Sequence, residues 1–174
     1  ERVRANRWLE VDPPVDVELK ADFDGKDRVR ITIGDYLEGT VVLDQGYPSA
    51  PAPLALDMGN GLESCHTARE YYDDGWTFHG PAFQMLTKLG PMSDKGIHGE
   101  IECLPARGAL LDAGGQLAGY WCVVHNDRDR IVLPYRIDRI RYYGPHPSPG
   151  TRMESTAHIL ELTDLWQRSN IEIY

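Results

Sequence analysis

The chain has 174 residues, with 18 Lys and Arg against 27 Asp and Glu, giving a formal net charge of −9. With 41% hydrophobic and 26% charged residues, its composition is that of an ordinary soluble domain and excludes disordered or collagen-like chains. No apolar run approaches the roughly 20 residues of a membrane-spanning helix, and an acidic chain is a poor match for nucleic-acid phosphates.

The chain opens on Glu1-Arg2-Val3-Arg4, with no apolar signal region and no initiator Met, and reads as if cut from a longer chain. Cys65, Cys103 and Cys122 leave one thiol over under any pairing and lack C-x-x-C spacing. Reduced cysteines in a cytoplasmic protein are expected, with no metal site.

The first fifty residues alternate with the period of strands. Asn6 to Val11, Val15 to Phe23, Val29 to Ile33 and Tyr36 to Leu43 form three or four antiparallel strands, with turns at Asp24-Gly25 and Gly34-Asp35. Such a sheet has one apolar face and no helix to cover it. Pro48, Pro51 and Pro53 then mark a stiff linker, so residues 1–50, 51–62 and 63–174 are expected as first unit, linker and second unit. Beyond the linker, Leu62 to Tyr72 suits a short helix. Phe83 to Leu89 and Ile97 to Leu104 suit strands around a break at Gly90-Pro91. Leu110 to Val124 is the longest helix, and Ile131 to Tyr143, Met153 to Leu160 and Gln167 to Tyr174 are three further strands. The fold class is α+β, and the first half resembles the tail of the second with its helix missing.

Three stretches carry chemistry. In Trp76-Thr77-Phe78-His79-Gly80-Pro81-Ala82-Phe83-Gln84, an aromatic run enters a rigid Gly-Pro bend. It is either a turn plugged with aromatics or a site containing His79. In Leu110-Leu111-Asp112-Ala113-Gly114-Gly115-Gln116, spacing of four puts Asp112 and Gln116 on one helix face. Asp112 either caps the first turn or, surrounded by leucines, stays protonated as a general acid. The Gly pair, costing about 1 kcal/mol per residue in a helix, implies close packing on a sheet or a shorter helix. The third stretch, Leu133-Pro134-Tyr135 and its surroundings, gathers Arg128, Arg130, Arg136, Arg139 and Arg141, either a solvated face or an anion dock.

Together these stretches resemble the dehydratase domains of type I polyketide synthases. Phe78-His79-Gly80-Pro81-Ala82-Phe83 is similar to the family's aromatic-x-Gly-Pro-x-Phe motif, which often has Tyr where His79 stands. Asp112-Ala113-Gly114-Gly115-Gln116 matches its Asp-x-x-x-Gln/His motif, and Leu133-Pro134-Tyr135 its Leu-Pro-aromatic motif. The wording is nearest to iterative enzymes of the enediyne and polyunsaturated fatty acid kind.

The resemblance implies a double hotdog, two antiparallel sheets each wrapped around one long helix, with the first unit truncated. It implies elimination of water from 3-hydroxyacyl thioesters carried on the phosphopantetheine of an acyl carrier protein, with no metal or diffusible cofactor. Asp112 is then the acid, and Gln116 orients it or the substrate hydroxyl. Phe78, His79, Gly80, Pro81, Phe83, Leu133, Pro134 and Tyr135 line the acyl tunnel. Partners are the carrier protein, other domains of the synthase and, as an open question, a second copy. Carrier docking falls to Arg139 and Arg141, placed on one face by strand alternation, or to Arg128 and Arg130. The family's base is a His in a His-x-x-x-Gly-x-x-x-x-Pro motif. None of His66, His79, His98, His125, His146 and His158 heads such a pattern. The 174 residues by themselves are therefore expected not to dehydrate. A non-dehydrating relative, such as a product-template cyclase or an isomerase, and a catalytically dead interaction domain remain the alternatives.

Overall fold

The computed structural model describes residues 2–59, 61–125 and 132–174. In chain order its elements are β1 (Val3–Ala5), β2 (Leu19–Phe23), β3 (Arg28–Ile33), β4 (Leu37–Val42), α1 (Ala68–Asp73), a 3-10 turn (Pro81–Phe83), β5 (Leu86–Ser93), β6 (Gly96–Glu102), α2 (Ala109–His125), β7 (Arg136–Ile137), β8 (Arg152–Leu162) and β9 (Gln167–Ile173). They divide into one unit of residues 1–51 and 134–145 and another of residues 52–133 and 146–174.

The first unit is an antiparallel sheet in the order β2-β3-β4-β1-β7. Its first turn follows from side-chain chemistry. The Asp24 carboxylate accepts the backbone N–H groups of Lys26 and Arg28, and Gly25 takes the positive φ of +83° between them. The strand expected over Asn6 to Val11 falls instead at Val3–Ala5, paired with β4 and β7. Asn6 donates to the Tyr36 carbonyl, and Pro13 and Pro14 follow without N–H groups to continue a ladder. The strand expected over Ile131 to Tyr143 shrinks to the two residues of β7, so alternation does not set the directions of Arg139 and Arg141. The described part of this stretch from Pro134 onward belongs to the first unit, because β7 pairs with β1.

In the second unit an antiparallel sheet, β5-β6-β8-β9, packs around α2. The helix is buried on nearly every side, through Ala109, Ala113, Leu117, Tyr120 and Trp121. A helix so enclosed must lie inside its sheet. Two details fit it there. The Trp121 indole donates to the Ser93 carbonyl at 2.7 Å. Gly114 admits β9, since a Cβ at that position would stand 2.7 Å from Cγ2 of Ile171. Gly115, its neighbour, has nothing within 4 Å of such a Cβ.

The stretch expected as a linker, 51–62, is part of this unit. Leu56 is buried, Leu54 donates its N–H to Glu172, and Leu62 exchanges both backbone hydrogen bonds with Met92. Nor does Gly90-Pro91 end a strand. β5 runs through it, with a register shift between Leu89 and Met92 that absorbs the missing proline N–H. No helix among the described residues is long and apolar enough to cross a membrane.

The two glycines should respond in opposite directions. Gly114→Val should lower stability by about 2 kcal/mol, because the β-branched Ile171 is stiff and cannot swing aside. Gly115→Ala should raise it by about 0.5–1 kcal/mol through helix propensity. Urea unfolding midpoints measure both, and equal effects of the same sign would contradict the packing described.

Candidate active site

All the groups that converge here belong to the second unit. α1 begins with a capping box: Thr67 Oγ1 accepts the Glu70 N–H, while the Glu70 carboxylate accepts the N–H of Thr67. Its single exposed face leaves Tyr71 and Tyr72 turned toward α2. The Tyr72 oxygen accepts the Leu86 N–H at 3.0 Å, so its own proton goes to Gln116 Oε1 at 2.8 Å. That settles the orientation of the Gln116 amide. Its Nε2 donates one hydrogen to the Phe83 carbonyl at 2.9 Å and the other to Asp112 Oδ2 at 2.6 Å. Gln116 is 4% exposed with its amide oxygen and both amide hydrogens engaged, so it holds Asp112 and has no amide hydrogen left for a further group.

Asp112 lies in the first turn of α2 but does not cap it. Among the described residues its partners are Gln116 Nε2 and His79 Nε2, the latter 3.0 Å from Oδ2. Among the described residues Oδ1 has no partner, and a third of the side chain (33%) is open to solvent. His79 is more enclosed, at 15%. Its Nδ1 is hydrogen-bonded to Thr77 Oγ1, its ring stacks on Phe78 at 4.5 Å, and its carbonyl accepts from the Gln84 side chain. Gly80 precedes the 3-10 turn and Pro81 occupies its first position, which fixes the bend between His79 and Phe83.

The structure therefore brings Asp112, Gln116, His79 and Phe83 together, with Phe78 exposed beside them. Pro134 and Tyr135 belong to the first unit, where the Tyr135 carbonyl accepts the Ala5 N–H, and Leu133 is exposed. Arg139 and Arg141 are exposed, while Arg136 is paired with Asp138 two residues on. Arg128 and Arg130 lie outside the described residues. Sequence reasoning did not find the direct contact of His79 with Asp112, nor Thr77 and Tyr72. For Tyr72 a signal existed: Thr67-x-x-Glu70 places the start of α1, and hence its face.

Among the described residues no three His, Cys, Asp or Glu side chains gather as a metal ion would require. None of the cysteines is in a disulfide; Cys65 is exposed, and Cys103 and Cys122 are buried.

No family model matches the chain, and no curated protein does. Solved structures do match. A bifunctional dehydratase-cyclase domain of ambruticin biosynthesis superposes with a TM-score of 0.60 and 14% identity, over 99% of this chain and 68% of that one. A second structure, from work on dehydratase substrate selection in the borrelidin and fluvirucin polyketide synthases, gives 0.54 and 17%, over 99% and 65%. The chain thus spans about two thirds of the length of each. At these identities the likeness establishes a shared fold: two antiparallel sheets and one long helix, the arrangement of hotdog-type domains.

The tyrosines around α2 make stability depend on alkaline pH. Burial pushes the Tyr120 phenol up to about 12 from its usual 10.0, and raises Tyr71 and Tyr72 as well. The fold holds these protons more tightly than the unfolded chain does. Their contribution is complete below about pH 10 and is lost as pH rises toward 12. Unfolding midpoints should fall over that window, and Tyr120→Phe should make the fall shallower; an unchanged slope would remove Tyr120 from the effect.

Proposed function

We propose that this chain is a dehydratase domain of the polyketide synthase type, eliminating water from 3-hydroxyacyl thioesters to give enoyl thioesters. The observation that carries this reading is Asp112: a carboxyl held by Gln116 and His79 through one oxygen, with the other unpartnered among the described residues and the side chain a third exposed. Such a group can give a proton to a departing hydroxyl from a fixed position. The shared fold with polyketide synthase dehydratase structures supports the substrate class.

In this reading Asp112 is the general acid and Gln116 its orienting partner. Phe78, Gly80, Pro81 and Phe83 form the wall beside it, and His79 is turned to Asp112. The substrate arrives on the phosphopantetheine of a carrier protein, and the other domains of the synthase are partners. The base that removes the α-proton is a separate group, since both ring nitrogens of His79 are already engaged. The 174 residues alone supply the acid half of the reaction.

The decisive assay follows enoyl product from a 3-hydroxyacyl thioester in the full-length protein. Asp112→Asn should lower kcat by about 1,000-fold, within the range that acid–base catalysis supplies, and leave KM nearly unchanged. Wild-type turnover in that variant would exclude Asp112. A cyclised rather than unsaturated product would favour the cyclase reading, which the dehydratase-cyclase neighbour keeps in view.

Carrier docking is assigned to Arg139 and Arg141 because both are exposed cations in a chain of net charge −9, where an acidic partner needs a local foothold. Reversal of both to Glu should slow turnover of carrier-bound substrate several-fold, while soluble pantetheine thioesters react as before. Equal losses on the two substrates would instead mean that these arginines support the fold.

A further inference from the structure

The proton on the Gln116 side of the site is placed by its neighbours, whereas with the carboxyl protonated, as an acid must be, and the imidazole neutral, the His79 side admits two arrangements. One proton lies between Asp112 Oδ2 and His79 Nε2, 3.0 Å apart. If it sits on Oδ2, His79 carries its own proton on Nδ1, pointing at Thr77. Asp112 is then neutral, but its proton is spent on His79 and Oδ1 has none to give. If it sits on Nε2, Nδ1 is bare and takes the Thr77 hydroxyl hydrogen. Oδ2 then accepts two N–H groups, and a proton on Asp112 can only be on Oδ1.

The Gln116 Nε2–H donated to Oδ2 favours the second arrangement, because the hydroxyl oxygen of a carboxylic acid is the poorer acceptor of its two. Oδ2 therefore acts as the carbonyl-type oxygen, and the acidic hydrogen belongs on the other. Oδ1 is also the oxygen left without a partner among the described residues. Stacking on Phe78 and the Gln84 bond to the His79 carbonyl hold the ring so that its Nε2 stays aimed at Oδ2.

We propose that His79 is a positioning residue which, with its tautomer set by Thr77, directs its Nε2–H at Asp112 Oδ2 and confines the transferable proton to Oδ1. This rests on the reading of Asp112 as the acid. In the elimination, a base removes the α-proton and the electron pair left behind forms the C=C bond. The C–O bond breaks with its electrons going to oxygen, and Oδ1 supplies the proton that completes the departing water. The carboxylate that remains keeps both N–H donors on Oδ2, already in place before charge develops. His79 thus aids the transfer without touching the substrate.

Two measurements test it. The first is the nitrogen NMR of His79 in the 174-residue chain, assigned by comparison with His79→Gln. A neutral ring protonated on Nε2, shifting toward a mixture of tautomers in Thr77→Val, is expected; a wild-type ring protonated on Nδ1 overturns the proposal. The second is kinetic, on a 3-hydroxyacyl thioester in the full-length protein. His79→Gln returns an N–H donor near Oδ2 and should keep kcat within about tenfold of wild type, while His79→Phe should lose about 100-fold, with KM unchanged in both. Wild-type kcat in His79→Phe, or a Gln variant as impaired as the Phe variant when both fold, overturns it. If the wild-type protein dehydrates no such thioester, the functional reading fails, and the NMR result alone decides where the proton lies.

Discussion

Burying an amide inside a protein is costly unless its donors and its acceptor find partners, and Gln116 is buried almost completely. Its three bonds run to Tyr72, Phe83 and Asp112, which lie respectively on α1, on the 3-10 turn and one turn back on α2. Satisfying one side chain therefore fixes the relation of three elements. A shift of α1 would orphan Oε1, and a shift of the Gly-Pro bend would orphan one Nε2 hydrogen. The position of Asp112, and through it of His79, inherits that rigidity.

The scaffold beneath makes such precision available. α2 packs against the sheet through most of its circumference, and Gly114 lets β9 approach closer than any side chain would permit. Its polar residue at position 116 is consequently tolerated only where a complete set of partners exists. The phenols of Tyr71, Tyr72 and Tyr120 line the same helix and are kept neutral by their burial.

Much of the architecture was legible from periodicity. Val29–Ile33, Met153–Leu160 and Gln167–Tyr174 were placed to within a residue or two of β3, β8 and β9, and Leu110–Val124 matches α2 but for one residue at each end. These segments bury one face or all faces, so their apolar spacing reports their geometry directly. Failures came where pairing rather than pattern decided. The alternation around Arg136 suits a long strand, yet among its described residues only Arg136 and Ile137 stand in register with β1. The prolines after Tyr47 suit a linker, yet Leu56 and Leu62 are drawn onto the second unit by packing and backbone pairing that no local pattern announces.

The same division holds at the site. The sequence by itself determined that Asp112 and Gln116 share a face, since four residues of α-helix return the chain to nearly the same direction. It also determined that the aromatic run enters a rigid bend, because Gly80 and Pro81 restrict the backbone locally, although the strand expected from Phe83 begins only at Leu86. Which oxygen of Asp112 is held, which way the Gln116 amide faces, and that His79 rather than solvent meets Oδ2 were decided only by tertiary structure. Those facts depend on hydrogen-bond partners 14 to 44 residues apart in the chain, from Tyr72–Leu86 to Tyr72–Gln116, and direction and saturation of such bonds leave no trace in residue spacing.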